Sequence, residues 1–182
     1  MSKLRIALLV TLLGLAVSSP AVGKVFHTVK QLLAEQFKTA SKVGYERIAV
    51  SGAQKAALER RLGYELPKND YVVYVATRNG RPEGYAVFDQ ERGQHEMIDF
   101  ATFFDDSGKV TRTEVMAYRE NYGHEIRRAS FRRQFVGRGA ESGYVVGKDI
   151  DAISGATISA DSMSRAVKRA AVLLDVCVLP ER

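Results

Sequence analysis

Near the C-terminus the chain reads Asp151-Ala152-Ile153-Ser154-Gly155-Ala156-Thr157-Ile158-Ser159. Beyond it Met163, Val167, Ala170, Leu174 and Cys177 follow at spacings of 4, 3, 4 and 3, one apolar stripe of a long helix. The pattern predicts Ser159 as its N-cap, with Asp161 in the first turn. Thr157 then stands just outside a helix start. Such a start offers unpaired N–H groups and about half a unit of positive charge. Gly155 and Ala156 are small enough to let a phosphate approach the backbone, and Thr157 adds a hydroxyl at the same place. The site could hold a phosphate or carry one as an ester. The same residue types also make an ordinary turn and cap, and the residues alone leave both readings open.

Other chemistries find little footing. His27, His95 and His124 lie far apart, without a His or Cys neighbour at metal-ligand spacing, and no metal site is expected. No nucleophile elbow, Walker loop or dinucleotide fingerprint occurs. The single cysteine, Cys177, excludes an internal disulfide, a four-cysteine zinc site and a cysteine-ligated iron–sulfur cluster within the chain. It also excludes Cys-x-x-Cys-His haem attachment, and in its apolar surroundings it reads as a small buried hydrophobe. Any redox chemistry must therefore rest on a borrowed cofactor.

The elements that would position Thr157 can be read around it. The 182 residues are 46% apolar and 26% charged, a globular composition. The net charge of +6 is too modest to imply nucleic-acid binding by itself. Residues 1–23 have the layout of a secretory signal: Lys3 and Arg5, an apolar run from Ile6 to Val17, then Ala21-Val22-Gly23. Cleavage near Gly23 leaves an exported, periplasmic domain of residues 24–182. Left uncleaved, the segment would attach that domain to the outer face of the cytoplasmic membrane.

Val25, Val29, Leu33 and Phe37 mark an amphipathic helix over about 25–40. Ser51 and Gln54 form a capping-box pattern ahead of Leu58 and Leu62, which Gly63 closes. Strands are expected at 71–77, 84–89, 97–104 and 110–118, the first two joined by Asn79-Gly80. The expected fold class is α+β, an antiparallel meander packed against helices. Residues 119–138 carry six arginines around Phe131 and Phe135. They read as a solvated basic face or as a docking patch for an acidic partner, a phosphate or an anionic membrane.

The Asp-x-x-Ser-Gly-Ala-Thr run resembles the flavinylation motif of the FMN-binding domain family, which includes covalent-flavin subunits of sodium-pumping NADH:quinone oxidoreductase and of the Rnf complex. The resemblance implies FMN joined by a phosphoester to Thr157, with Asp151, Ser154, Gly155 and Ala156 as the surrounding motif. Family members also carry Glu-Thr-Pro-Gly-x-Gly near the flavin. Here the corresponding run is Glu120-Asn121-Tyr122-Gly123-His124-Glu125, of which Glu120 and Gly123 match. Tyr122 and His124 stand where a side chain could stack on the ring or bond to it. Phe131, Gln134, Phe135 and Gly137 resemble the family pattern again.

The family implies maturation by a separate flavin transferase that uses FAD and magnesium: the threonine hydroxyl attacks the FMN phosphate and AMP leaves. The leading expectation is an exported electron carrier that exchanges electrons with a membrane redox partner. A flavin reductase with non-covalent FMN and a non-redox adaptor are the alternatives.

Overall fold

A computed structural model describes residues 23–179. The signal reading of residues 1–23 falls, except for Gly23, outside the described residues. In chain order the elements are β1 (Lys24–Val25), α1 (Val29–Gln36), β2 (Lys42–Ala49), α2 (Gly52–Leu62), β3 (Asp70–Arg78), β4 (Arg81–Arg92), β5 (Met97–Asp105), β6 (Val110–Tyr118), α3 (Ala129–Arg132) and α4 (Thr157–Cys177). Short 3-10 turns at His124–Arg127 and Arg133–Phe135 flank α3.

The strands form one antiparallel six-stranded sheet in the order β1-β6-β5-β4-β3-β2. The expected four-strand meander is its centre. Asn79 and Gly80, with φ of 53° and 77°, make the two-residue turn that their tolerance of positive φ predicts. Both faces of the sheet are covered. On one, α2 and α4 supply Leu58, Leu62, Met163, Val167, Ala170 and Leu174 against Val73, Val87, Phe100 and Val115. On the other, Leu32 and Phe37 meet Ala76, Ala86, Ala101, Phe103 and Met116. This two-sided burial is why Tyr85 to Phe88 of β4 and Phe100 to Phe104 of β5 read as largely apolar runs, without clean alternation.

Three expectations are corrected. The first helix covers 29–36, not 25–40. Val25 pairs with Ala117 in β1, and Thr28 accepts from Gln31 N at 3.2 Å to start the helix. Edge pairing and a threonine cap thus outcompete the apolar spacing. Ser51 does precede α2, but its side chain makes no capping bond. Strand β2 was not expected, because its sequence KVGYERIA contains a glycine and three charges, and it lies mostly exposed on the sheet edge.

A buried ion network ties α4 to β4. Arg169 has a side chain only 1% exposed and donates to Asp89 at 2.7 Å, to Glu91 at 2.6 Å and to Gln90 O at 2.8 Å. Lys68 reaches the other Asp89 oxygen at 2.7 Å, and Arg165 approaches Glu91 at 3.5 Å. Burial alone would lower the Arg169 pKa, but the two carboxylates outweigh it and push it up. The guanidinium therefore stays charged.

Candidate functional site

The long C-terminal helix begins at Thr157, with Ala156 at the N-cap position and no capping side chain. Ser159 is not the cap, because its hydroxyl lies 2.7 Å from the Tyr118 hydroxyl. The Tyr118 O–H donates to Tyr122 O. A carbonyl can only accept, so the Tyr118 proton is spent there and Ser159 is the donor to Tyr118. Burial pushes the Tyr118 phenol up, which keeps that proton in place. The N–H of Ala160 reaches Ala156 O. Those of Thr157, Ile158 and Ser159 precede the first intrahelical acceptor and remain unpaired within the helix.

This hydroxyl chain brings the 120–123 loop onto the helix start. Gly123, at φ 88°, has no room for a side chain: a Cβ would sit 2.4 Å from Ser159 Oγ and 2.7 Å from Tyr118 Oη. Here the glycine permits both a close approach and a left-handed backbone. The result is a cleft of about 210 Å³ lined by Gln94, Glu120, Tyr122, Gly123, Gly155, Ala156, Thr157, Ile158 and Ser159. Thr157 is exposed. Tyr122 is 80% exposed and Ile158 47% exposed, so aromatic and aliphatic surface stands at the cleft.

The sequence-derived residues divide. Thr157, Gly155, Ala156, Glu120, Tyr122 and Gly123 line the cleft together. His124, Asp151 and Ser154 do not. His124 opens the 3-10 turn, with its side chain 67% exposed and 3.9 Å from Glu125. The Asp151 N–H donates to Gln134 Oε1 at 2.7 Å, which fastens the motif loop to the arginine-rich segment. Among the described residues the Asp151 carboxylate holds no hydrogen bond, so it does not cap the turn. Arg128, Ser130, Gln134 and Asp151 help line a second hollow of about 220 Å³ beside the motif.

Glu120 faces the cleft but is occupied. Its Oε1 accepts from His95 N at 2.6 Å and Glu96 N at 2.9 Å, bracing the β4–β5 turn. Burial would raise its carboxyl, but the backbone N–H groups of Glu96 and His95 outweigh that and hold it below its ordinary value. Tyr118 and Gln94 were missed as site residues. Their roles depend on neighbours remote in sequence, and no local motif marks them.

The arginine-rich segment is largely structural. Arg132 donates to Thr113 O at 2.8 Å and pairs with Glu114 at 2.5 Å, and Arg138 donates to Gln134 O and Gly143 O. Arg119 pairs with Asp99 at 2.9 Å, and the Arg127 guanidinium stacks 3.4 Å from the Phe26 ring centroid. Phe131 and Phe135 are buried, their centroids 5.7 Å apart.

Residues 93–172 match the FMN-binding domain family. Over that segment the chain resembles the FMN-binding domain family. The matched segment runs from the β4–β5 turn through β5, β6 and the arginine-rich stretch into α4, so it contains the whole cleft. Among solved structures the chain is similar to NqrC from Shewanella oneidensis, at 17% identity and a TM-score of 0.49, covering 75% of this chain and 80% of that one. It is also similar to the NqrC-type component of the Na(+)-translocating NADH-quinone reductase from Parabacteroides distasonis, at 20% identity and a TM-score of 0.46, covering 79% of this chain and 85% of that one. No curated protein matches the chain.

The cleft suits the phosphate end of FMN. Unpaired N–H groups at an uncapped helix start favour an anion. The small residues Gly155 and Ala156 leave the backbone approachable, and Gly123 holds the opposite wall close. No helix among the described residues is long and apolar enough to cross a membrane.

Proposed function

We propose that FMN is held covalently through a phosphoester to Thr157 and that the domain is an exported electron carrier serving a membrane redox partner. The observation that supports this most is the setting of Thr157, an exposed hydroxyl-bearing residue at the uncapped start of α4, inside a cleft of the FMN-binding domain. FMN supplies electron acceptance and release through its isoalloxazine ring. The protein's part is to hold and orient. The first-turn N–H groups of α4 take the phosphate charge, Tyr122 and Ile158 offer surface to the ring, and the Tyr118–Ser159 link fixes the two walls.

Attachment is the work of a separate flavin transferase using FAD and magnesium. The Thr157 hydroxyl loses its proton to solvent as its oxygen bonds the FMN phosphorus of FAD, the pyrophosphate bond breaks, and AMP leaves. Arg128 and Asp151, in the hollow beside the motif, are suited to present the loop to that enzyme. The N-terminal segment acts as the export signal, after which the domain works in the periplasm or on the outer face of the cytoplasmic membrane.

The test is to express the full chain with and without a flavin transferase and inspect it on a denaturing gel. Flavin fluorescence that requires the transferase and disappears in Thr157→Ala supports covalent attachment. Flavin that is present natively but lost on denaturation supports the reductase alternative, and no flavin in either state refutes both. N-terminal sequencing of exported protein should begin near Lys24.

A further inference from the structure

Among the described residues strand β2 leaves an edge of the sheet open, and the phase of that edge can be worked out. Val50 N donates to Asn69 O at 2.7 Å, and the register runs unbroken from Lys42↔Thr77 to Ala49↔Asp70. Bonded and non-bonded pairs alternate along an antiparallel ladder, so the even-numbered residues of β2 bond β3. The backbone N–H and C=O groups of Val43, Tyr45 and Arg47 point outward. Such an edge is a template for another strand. The opposite edge is capped by the two-residue strand β1.

The side chains around this edge are self-complementary. Val43 and Tyr45 are 39% and 60% exposed, and with Val29, Leu33, Phe37 and Tyr74 they line an apolar groove of about 510 Å³ between α1 and the edge. Lys42 and Glu46, on the other face of the strand, are exposed and hold no ion-pair partner among the described residues.

We infer that β2 pairs with β2 of a second copy of this chain, antiparallel about a two-fold axis through Gly44. In that register the outward groups of Val43 exchange hydrogen bonds with those of Tyr45 in the second copy, and the symmetry repeats the exchange. Lys42 falls opposite Glu46 on one face, twice. On the other face Tyr45 of each copy falls beside Val43 of its neighbour, at the mouth of the apolar groove. Moving the axis to Tyr45 would set Glu46 opposite Gly44 and Lys42 opposite Ile48, losing both ion pairs. Charge complementarity therefore selects both the occupant and the register.

Cross-linking tests this on the full chain. Gly44 pairs with itself across the axis at a non-hydrogen-bonded position, where Cα atoms approach about 4.5 Å. A Cβ there meets nothing within 4 Å. In a Cys177→Ser background, Gly44→Cys treated with copper phenanthroline in the cells that make it should run as a disulfide-linked dimer on a non-reducing gel. Adding Lys42→Glu should reduce that band at least about tenfold, because both cross-strand pairs become repulsive. Adding Glu46→Lys to Lys42→Glu should restore it. Absence of a dimer band from folded Gly44→Cys protein overturns the inference. A band indifferent to Lys42→Glu also overturns it, since that band would report collision.

Discussion

Gly123→Ala is the sharpest perturbation of the cleft. An alanine there takes a left-handed φ of 88°, which costs an L-residue about 1–2 kcal/mol. Its Cβ would lie 2.4 Å from Ser159 Oγ, where ordinary contact begins at 3.4 Å. Relief requires a shift of about 1 Å in the Ser159 side chain or in the first turn of α4, and such overpacking costs about 1–3 kcal/mol. For a domain of this size each kcal/mol lowers Tm by about 2–4 °C, so the combined cost of about 2–5 kcal/mol predicts a loss of roughly 4–20 °C. A displacement of 1 Å at a reacting group is also enough to slow its chemistry about a hundredfold. On the proposed attachment to Thr157, folded Gly123→Ala should therefore acquire covalent flavin far more slowly than wild type when mixed with transferase and FAD, as read by in-gel fluorescence over time. Adding Ser159→Ala removes the nearer obstacle and should recover part of the rate. A Gly123→Ala protein that melts and flavinylates like wild type would refute the packing argument.

Arg169→Met should destabilise the domain by about 3 kcal/mol, the lower part of the range for stranding a buried charge, since Lys68 still serves Asp89. Lys68→Met should cost under about 1 kcal/mol, and thermal melts compare them. Glu120 makes acid sensitivity predictable. Its carboxyl is held below its ordinary value in the folded state, so its contribution is present above the unfolded pKa and is lost as pH falls through the folded one. Glu120→Gln should flatten stability over that acid range, measured by urea unfolding at stepped pH. Arg132→Ala should lower Tm through its lost bonds to Thr113 O and Glu114, whereas Arg128→Glu should leave Tm unchanged but slow flavin transfer.

The parts of this fold governed by short-range rules were visible in the sequence. The 4-3-4-3 spacing from Met163 located α4 because its stripe faces a core, and Asn79-Gly80 located a turn because backbone sterics alone decide it. Strand β2 was hidden because an edge strand exposed on most positions carries no apolar alternation. The site shows the same division. Gly155, Ala156 and Thr157 were legible as a helix-start motif, and Glu120, Tyr122 and Gly123 through family resemblance. Ser159 was misread as a cap because a local rule competes there with Tyr118, 41 residues away. Six arginines within twenty residues looked like surface charge, yet Arg132 and Arg138 are spent on backbone carbonyls that only the folded chain brings near.

Arg169 lies on the same helix as Thr157, about 18 Å along its axis at 1.5 Å per residue. A helix that moved one residue along its axis would have to turn by about 100° to keep its track, and an apolar stripe resists smaller slides and turns only weakly. A guanidinium fastened to Asp89, Glu91 and a backbone carbonyl removes that freedom. It works as an index pin, and the compass bearing of the hydroxyl at the far end of the helix is set from the middle of the protein.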